Sequence, residues 1–203
     1  MSFDAPLPPF SASDPNATFL NSSALDLLLI EIVPLARRLA LHSTSAGGEG
    51  GDGEGGDGEA TADEEEQREA MFYRLEQLGF KVGQGLVERF SRDRARMVET
   101  LDVIKFICKD LWMIVFRKQI DNLKTNHRGV YVLTDNAFRP FSRMSTEAGG
   151  NAVLKAQPFL WFPCGIVRGA LANMGVNASV QAETTELPTA TFKIETISGR
   201  SAV

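Results

Sequence analysis

The sequence predicts an α+β fold of two layers, in which long helices pack on one face of a four-stranded, twisted antiparallel sheet. Two observations predict this fold. The stretch 101–116 is apolar over most of a helical circumference, and two hairpin-like segments each follow a long apolar helix. An antiparallel sheet with one apolar face needs helices to cover that face, and the apolar helices of this chain can do so.

The central stretch, Leu101–Asn136, begins as a helix and continues as a β-hairpin. The apolar residues of its helix recur at three- and four-residue spacing: Leu101, Ile104, Ile107, Cys108, Leu111, Trp112, Val115 and Phe116. Further apolar residues widen this stripe, so the helix must be covered on several sides. The hairpin strands are predicted at 120–126 and 130–134. Gly129 lies in the turn because glycine readily adopts positive φ.

Two helices are predicted before this stretch. The first covers 24–41, and Pro34 within it is expected to kink or divide the helix because proline removes a helical hydrogen bond. The second begins at Gln67 and ends near Phe90. Its glycines predict either a kink or the close approach of another helix: Gly79, Gly83 and Gly85.

Another apolar helix is predicted after the hairpin, at 157–174, where Pro163 is expected to bend the helix or reset its first turn. Gly165 and Gly169 share one face of this helix and permit a second backbone to pack closely. Residues 176–183 then alternate between apolar and polar types, and residues 192–195 do the same. These two strands and the earlier hairpin together predict the four-stranded sheet.

Charge is distributed unevenly along the chain. Residues 43–66 carry nine acidic residues and no Lys or Arg, so removing them from a net charge of −5 leaves the rest at +4. This Gly-, Glu- and Asp-rich segment cannot bury enough apolar surface to order itself. We expect a disordered insertion in a single domain at 21–197, with flexible ends at 1–20 and 198–203. An acidic interaction segment is the alternative reading of 43–66.

The candidate catalytic residues are few. Cys108 and Cys164 fall in apolar helical patterns and are expected to be buried free thiols, which indicates a reducing compartment. A cysteine-dependent enzyme would need one of them beside His127, oriented by Asp110 or Asp135. A turn histidine is more often structural, and apolar surroundings raise the pKa of a thiol. We expect no catalytic activity, and the sequence also lacks the patterns of cofactor-binding and metal-ligand sites.

Basic residues near the predicted hairpin form a candidate basic surface for an acidic partner or membrane: Lys124, Arg128, Arg139 and Arg143. An ordinary solvated face is the alternative. Arg168 lies within an apolar helix, and we favour its pairing with a carboxylate at the edge of the core over contact with a partner or lipid headgroup. A charge of +4 is too small to indicate binding to nucleic acid.

Three stretches of the sequence resemble a known family. They are FICKDLWMIVFRKQIDNLKTNHRGVYVLTDN in the central region, PCGIVRGAL at residues 163–171 and LGFKVGQGLVERF in the second helix. They are similar to the small α/β subunits of TRAPP, the transport protein particle, and within that family to the thirty-three-kilodalton branch, called subunit six in animals. The resemblance covers most of 21–42 and 67–197 and leaves the acidic segment outside.

The resemblance implies a non-catalytic structural subunit of a multisubunit complex that tethers vesicles and exchanges nucleotide on a Rab GTPase in ER-to-Golgi and Golgi traffic. It implies a cytoplasmic protein, peripheral to Golgi and ER–Golgi membranes, that heterodimerises with a paralogous small subunit, contacts further subunits and meets the Rab GTPase only indirectly. The partner interface would lie on the first two helices: Leu28, Ile32, Leu35, Met71, Leu75 and Leu78. An intramolecular core is the alternative for each of these residues.

A stand-alone carrier is the second functional hypothesis. Its helices would enclose an acyl or isoprenoid group near Cys108 and Cys164. In a related subunit an acylated cysteine lies in the connection before the central helix, but the corresponding stretch here, 91–96, contains no cysteine. Covalent lipid is therefore not expected at that position.

Overall fold

The computed structural model of the protein describes residues 20–46, 57–126, 128–144 and 152–197. The helices are α1 (Ser22–Ala46), α2 (Asp57–Phe90), α3 (Thr100–Phe106), α4 (Trp112–Phe116), α5 (Ala152–Ala156) and α6 (Trp161–Asn173). A π-helical turn, Ile107–Leu111, joins α3 to α4, and 3-10 turns occupy Arg139–Phe141 and Gln157–Leu160. The strands are β1 (Asn122–Thr125), β2 (Val130–Asp135), β3 (Ala178–Glu183) and β4 (Ala190–Thr196). The predicted flexible ends, except Leu20, lie outside the described residues, and so does His127.

The four strands form one antiparallel sheet in the order β1-β2-β4-β3, which confirms the predicted α+β class. Leu133 of β2 lies opposite Phe192 of β4, and both side chains are fully buried. On β4 the buried residues alternate with the exposed Lys193 and Glu195. One face of the sheet therefore packs against the helices and the other faces solvent.

The central helix is continuous from Thr100 to Phe116, but one turn of it is π-helical. The buried residues of this helix point in different directions around its axis, so the prediction that it is covered on several sides is confirmed. They include Val103, Phe106, Cys108, Leu111 and Phe116. The π turn was not predicted, because the extra residue per turn leaves no signature in apolar spacing. The helix ends at Arg117, which adopts the left-handed conformation with φ of 63°.

Four glycines join α2 to α6 in a seam of close backbone contact. A methyl group added at Gly79 or Gly83 would overlap the carbonyl oxygens of Phe162 and Ile166, whereas one added at Gly165 or Gly169 would overlap those of Glu76 and Phe80. The predicted close approach of two backbones is therefore confirmed, and we call these four residues the glycine seam. Both helices remain unbroken through it.

The structure bears on two expectations about the first helices. Pro34 does not divide α1, which is one helix from Ser22 to Ala46. A proline removes one backbone hydrogen bond, and the packing of the turns on either side holds the helix together. Helices also occupy both ends of the segment 43–66, which the sequence predicts to be disordered: α1 extends to Ala46 and α2 begins at Asp57. Glu and Ala in 57–70 are strong helix formers, and acidic residues near a helix N-terminus are favourable. Residues 47–56 lie outside the described part.

The hydrophobic interior has two parts. The larger lies between the sheet, the central helix and α6, and includes a cluster of aromatic rings: Trp112, Phe116, Phe138, Phe141 and Phe192. The smaller lies under α1, where Val33, Ala36 and Ala40 meet Leu75 and Trp161. Within the described ranges, no helix is both long enough and apolar enough to cross a lipid bilayer.

Candidate functional site

The outer surface of α1 and α2 is unusually apolar. Of the thirteen large hydrophobic side chains that are exposed in the described residues, nine lie on these two helices: Leu27, Leu28, Ile30, Leu35, Leu39, Leu41, Phe72, Tyr73 and Leu78. We call these nine residues the α1–α2 surface. A concentration of exposed apolar side chains on one part of a protein marks a site of contact with another molecule.

The predicted interface residues divide between this surface and the interior. Leu28 is 61% exposed, Leu35 is 44% exposed and Leu78 is 45% exposed, so all three can meet a partner, and Ile32 is half-buried. Met71 and Leu75, at 9% and 1%, are covered by α1 and Trp161 and belong to the intramolecular core. For these two residues the interface assignment is corrected, because four-residue spacing turns them together toward α1.

Sequence reasoning missed four of the six exposed large hydrophobic residues that the structure describes on α1: Leu27, Ile30, Leu39 and Leu41. Leu28, Ile32, Leu35 and Leu39 follow the spacing of one flank of the helix, whereas Leu27, Ile30 and Leu41 fall on the opposite flank. Between the flanks runs a polar ridge, where Arg38 donates to Glu31 at 2.7 Å. The sequence feature that could have identified these residues is the apolar pattern of α1, which is wider than the single stripe of an ordinary surface helix.

The candidate basic surface is not assembled as one patch. Lys124 lies in β1 and Arg128 in the turn before β2, and both are exposed. Arg139 and Arg143 come after the other end of β2, a strand of six residues that spans roughly 17–20 Å. Both lie near an acidic residue of α1, because Asp26 accepts hydrogen bonds from Arg139 and lies 3.5 Å from Nη2 of Arg143. The two pairs lie toward opposite ends of the hairpin, and Asp26 offsets part of the charge of Arg139 and Arg143.

Arg168 is paired as predicted. Its Nη2 donates to Oε2 of Glu76 at 2.7 Å, and its Nε donates to Oε1 of the same carboxylate. The guanidinium also lies 4.5 Å from the centre of the Phe80 ring. The hydrogen bonds that Arg168 donates to Glu76 raise the pKa of Arg168 further above its ordinary value. This ion pair joins α6 to α2 beside the glycine seam and is not an open anion site.

The two thiols are buried and free, as predicted. Burial raises the pKa of both Cys108 and Cys164 to about 12, and the nearby Glu76 carboxylate adds to the effect at Cys164. The Sγ of Cys164 donates to the carbonyl of Val180 at 3.1 Å. A thiol held in its protonated form is a poor nucleophile, so this arrangement does not suit covalent catalysis.

The carboxylates considered as catalytic partners are already engaged. Asp110 forms a bidentate pair with Arg94, with nitrogen–oxygen distances of 2.6 and 2.8 Å. Asp135 accepts from Trp112 and Lys118. Across the described residues, no group of three or more His, Cys, Asp and Glu side chains converges as a metal site would require.

A cleft of about 490 Å³ lies at the end of α2 that is remote from the α1–α2 surface. It is lined by residues of the segment 87–97 together with Asn173 and Met174 at the end of α6. Cys108 and Cys164 do not line it, so it does not correspond to the predicted lipid cavity near the two thiols.

Comparison with known proteins identifies relatives along most of the chain. Residues 25–197 match the family model "Transport protein particle (TRAPP) component". Trafficking protein particle complex subunit 6B of Homo sapiens is 51% identical over 121 residues, which are 60% of this chain and 75% of that protein. An uncharacterised protein of Schizosaccharomyces pombe is 39% identical over 176 residues, or 87% of this chain and 64% of that protein. The names of the trafficking relatives describe subunits of a complex and no catalytic activity.

The fold is similar to that of a solved structure with low sequence identity to this chain. A trafficking protein particle complex subunit 3 from Naegleria fowleri, covalently bound to palmitic acid, superposes with a TM-score of 0.61 at 14% sequence identity, over 87% of this chain and 97% of that one. The similarity shows a shared two-layer arrangement of helices and sheet. With the family model matching from the first helix to the last strand, the chain belongs to the TRAPP family of trafficking-complex components.

Proposed function

We propose that this protein is a structural subunit of a TRAPP-like complex that tethers vesicles and exchanges nucleotide on a Rab GTPase in ER-to-Golgi and Golgi traffic. Its role is to bind a paralogous small subunit through α1 and α2 and to hold that partner, and the subunits beyond it, in a fixed arrangement at the membrane surface. The observation that carries this proposal is the α1–α2 surface, which a protein acting alone would leave in water.

The size of this surface favours a partner energetically. Burial of a large apolar side chain is worth about 1.5–3 kcal/mol, and nine such side chains are exposed on α1 and α2. A similar helix pair from a second subunit could cover the residues of one flank of α1 by packing ridges into grooves, and the other flank would remain for a further subunit. A related subunit of the same family has the same fold, which supports a paralogous partner.

Co-purification with a paralogous small subunit tests the proposal directly. The full chain, expressed with that subunit, is expected to elute as a one-to-one complex in size-exclusion chromatography with light scattering. Leu28→Glu combined with Leu35→Glu should abolish this complex, because two desolvated charges would be placed in an apolar contact. Circular dichroism should show an unchanged fold, since both residues are exposed.

A matched control separates loss of the interface from a general effect of added charge. Leu154 on α5 is 62% exposed and lies outside the α1–α2 surface, so Leu154→Glu should leave the complex intact. Equal binding by the double variant and the wild type would refute the assigned surface. Affinity purification of the endogenous protein without any stoichiometric TRAPP-like companion would refute the proposed function.

A further inference from the structure

Helix α1 is attached to the rest of the molecule unevenly. From Val33 onward it is anchored by Val33, Ala36 and Ala40 in the core under α1. In the first half Leu29 is buried, while Leu27 and Leu28 beside it are more than half exposed. The first turns therefore have little apolar contact to hold them, although they carry residues of the α1–α2 surface.

A bidentate ion pair between Asp26 and Arg139 attaches these first turns to the rest of the molecule. Asp26 in the first turns of α1 accepts from Nε of Arg139 at 2.8 Å and from its Nη2 at 3.2 Å. The side chains of both residues are mostly buried, and the hydrogen bonds from Arg139 lower the pKa of the Asp26 carboxyl. Paired charges with two parallel hydrogen bonds fix orientation as well as distance. Arg143 approaches the same carboxylate at only 3.5 Å and is 59% exposed.

The backbone that presents Arg139 is held firmly. Arg139 begins a 3-10 turn between Phe138 and Phe141, whose rings are buried and pack 5.1 Å apart. The backbone N–H of Phe138 donates to the carbonyl of Pro188 at 3.0 Å, and that of Phe141 donates to the carbonyl of Phe138 at 2.9 Å. The guanidinium therefore projects toward α1 from the aromatic core and needs little ordering to pair with Asp26.

We propose that the Asp26–Arg139 pair is a positioning device, which holds the first turns of α1 against the sheet layer and so sets how Leu27, Leu28 and Ile30 meet a partner. This inference rests on the proposed function for its partner and adds the residues that control the geometry of the interface. Neither residue needs to touch the partner. Their effect is to keep α1 in the binding-competent arrangement, so that little affinity is lost to ordering it.

Hydrogen exchange of the full-length protein, alone and without a partner, tests the attachment. Arg139→Gln is expected to speed exchange of the amides of 24–31 at least tenfold and to leave those of α6 unchanged. The matched control is Arg143→Gln, which removes a charge from the same carboxylate but only its weaker contact, and it should change exchange less than twofold. Unchanged exchange in Arg139→Gln, or an equal increase in both variants, would overturn the proposal.

Binding of the paralogous subunit tests the consequence, at a temperature where circular dichroism shows every variant to be folded. Arg139→Gln should weaken binding five- to fiftyfold through a slower association rate, and Arg139→Lys should recover part of this loss. Asp26→Asn should lose about as much affinity alone as it does in combination with Arg139→Gln, because the two residues act as one unit.

Faster exchange with unchanged affinity would refute the positioning role. If the wild-type protein binds no paralogous subunit, the proposed function is refuted. Faster exchange in Arg139→Gln would then still support the attachment of α1.

Discussion

The indole nitrogen of Trp112 donates a 2.8 Å hydrogen bond to Oδ2 of Asp135, whose side chain is completely buried. The other oxygen of that carboxylate accepts from Nζ of Lys118 at 2.6 Å and from the backbone N–H of Ala137 at 3.0 Å. This set of bonds ties the end of the central helix to the end of β2. A buried carboxylate of this kind is stable only while its donors remain in place.

Removal of this carboxylate should be costly. Asp135→Ala leaves the Trp112 N–H buried without its acceptor and takes a partner from Lys118, so we expect a loss of about 3 kcal/mol in the free energy of unfolding. Urea denaturation followed by tryptophan fluorescence and circular dichroism measures it. Asp121→Ala is the control, because Asp121 also pairs with Lys118 but is far more exposed, and it should cost no more than about 1 kcal/mol. A loss of less than about 1 kcal/mol in Asp135→Ala would contradict the stabilising role of this carboxylate.

The same group of charges affects the titration of Lys118. Partial burial lowers the pKa of this amine, but hydrogen bonds to Asp121 and Asp135 outweigh burial and raise it overall. The stability that this pair contributes is therefore fully present below the ordinary lysine pKa of 10.5 and is lost as the pH rises above it. Lys118→Met should remove this alkaline component from a plot of unfolding free energy against pH.

The glycine seam predicts opposite outcomes for alanine substitutions on one helix. Gly83→Ala places a methyl group against the carbonyl of Ile166, and separating the helices to relieve the overlap should cost about 1–3 kcal/mol or more. Gly85→Ala has open space around the new methyl group and should stabilise the protein by about 0.5–1 kcal/mol, since alanine favours a helix. Thermal unfolding of both variants compares them directly. A tolerated Gly83→Ala would show that the two backbones are farther apart than described.

The buried thiols predict slow labelling. Because the pKa of both Cys108 and Cys164 is raised to about 12, a disulfide reagent at neutral pH should react only as fast as the protein unfolds. Between pH 9 and 12 the unfolded chain loses thiol protons that the folded protein keeps. The free energy of unfolding therefore falls by about 1.4 kcal/mol per pH unit for each thiol. This slope should be absent when both cysteines are replaced by alanine, and stoichiometric labelling within minutes in the native state would contradict burial.

The corrected interface residues give a further contrast within α2. Leu75→Ala should destabilise the isolated protein by about 2–5 kcal/mol, because it opens a cavity under α1. Leu78→Ala should change the stability by less than about 1 kcal/mol, since Leu78 is 45% exposed. Chemical denaturation of the two single variants checks both values. Similar losses would mean that Leu78 is also part of the core.

Much of the fold could be predicted from the sequence, because its main signals are local. The alternation of apolar and polar residues at 178–183 and the positive φ of Gly129 follow from chain geometry. The glycines on the facing sides of α2 and α6, such as Gly79 and Gly165, correctly indicate close packing of the two helices. The π turn could not be predicted in this way. Nor could the burial of Leu75, since spacing shows that residues share a face but not what covers it. The pairing of Arg139 with Asp26 joins residues 113 positions apart, and single-sequence reasoning has no means to find such a contact.

The glycine seam also has a mechanical consequence. Helix α2 is 34 residues long, or about 50 Å, and the seam holds it along its second half only. Its first turns, with Glu64, Glu65 and Glu66 exposed, begin about 30 Å away from Gly79. Because the seam leaves no gap between the two backbones, we expect α2 and α6 to move as one rigid unit along that half, whereas the acidic end depends on Arg68 and Met71 for its attachment.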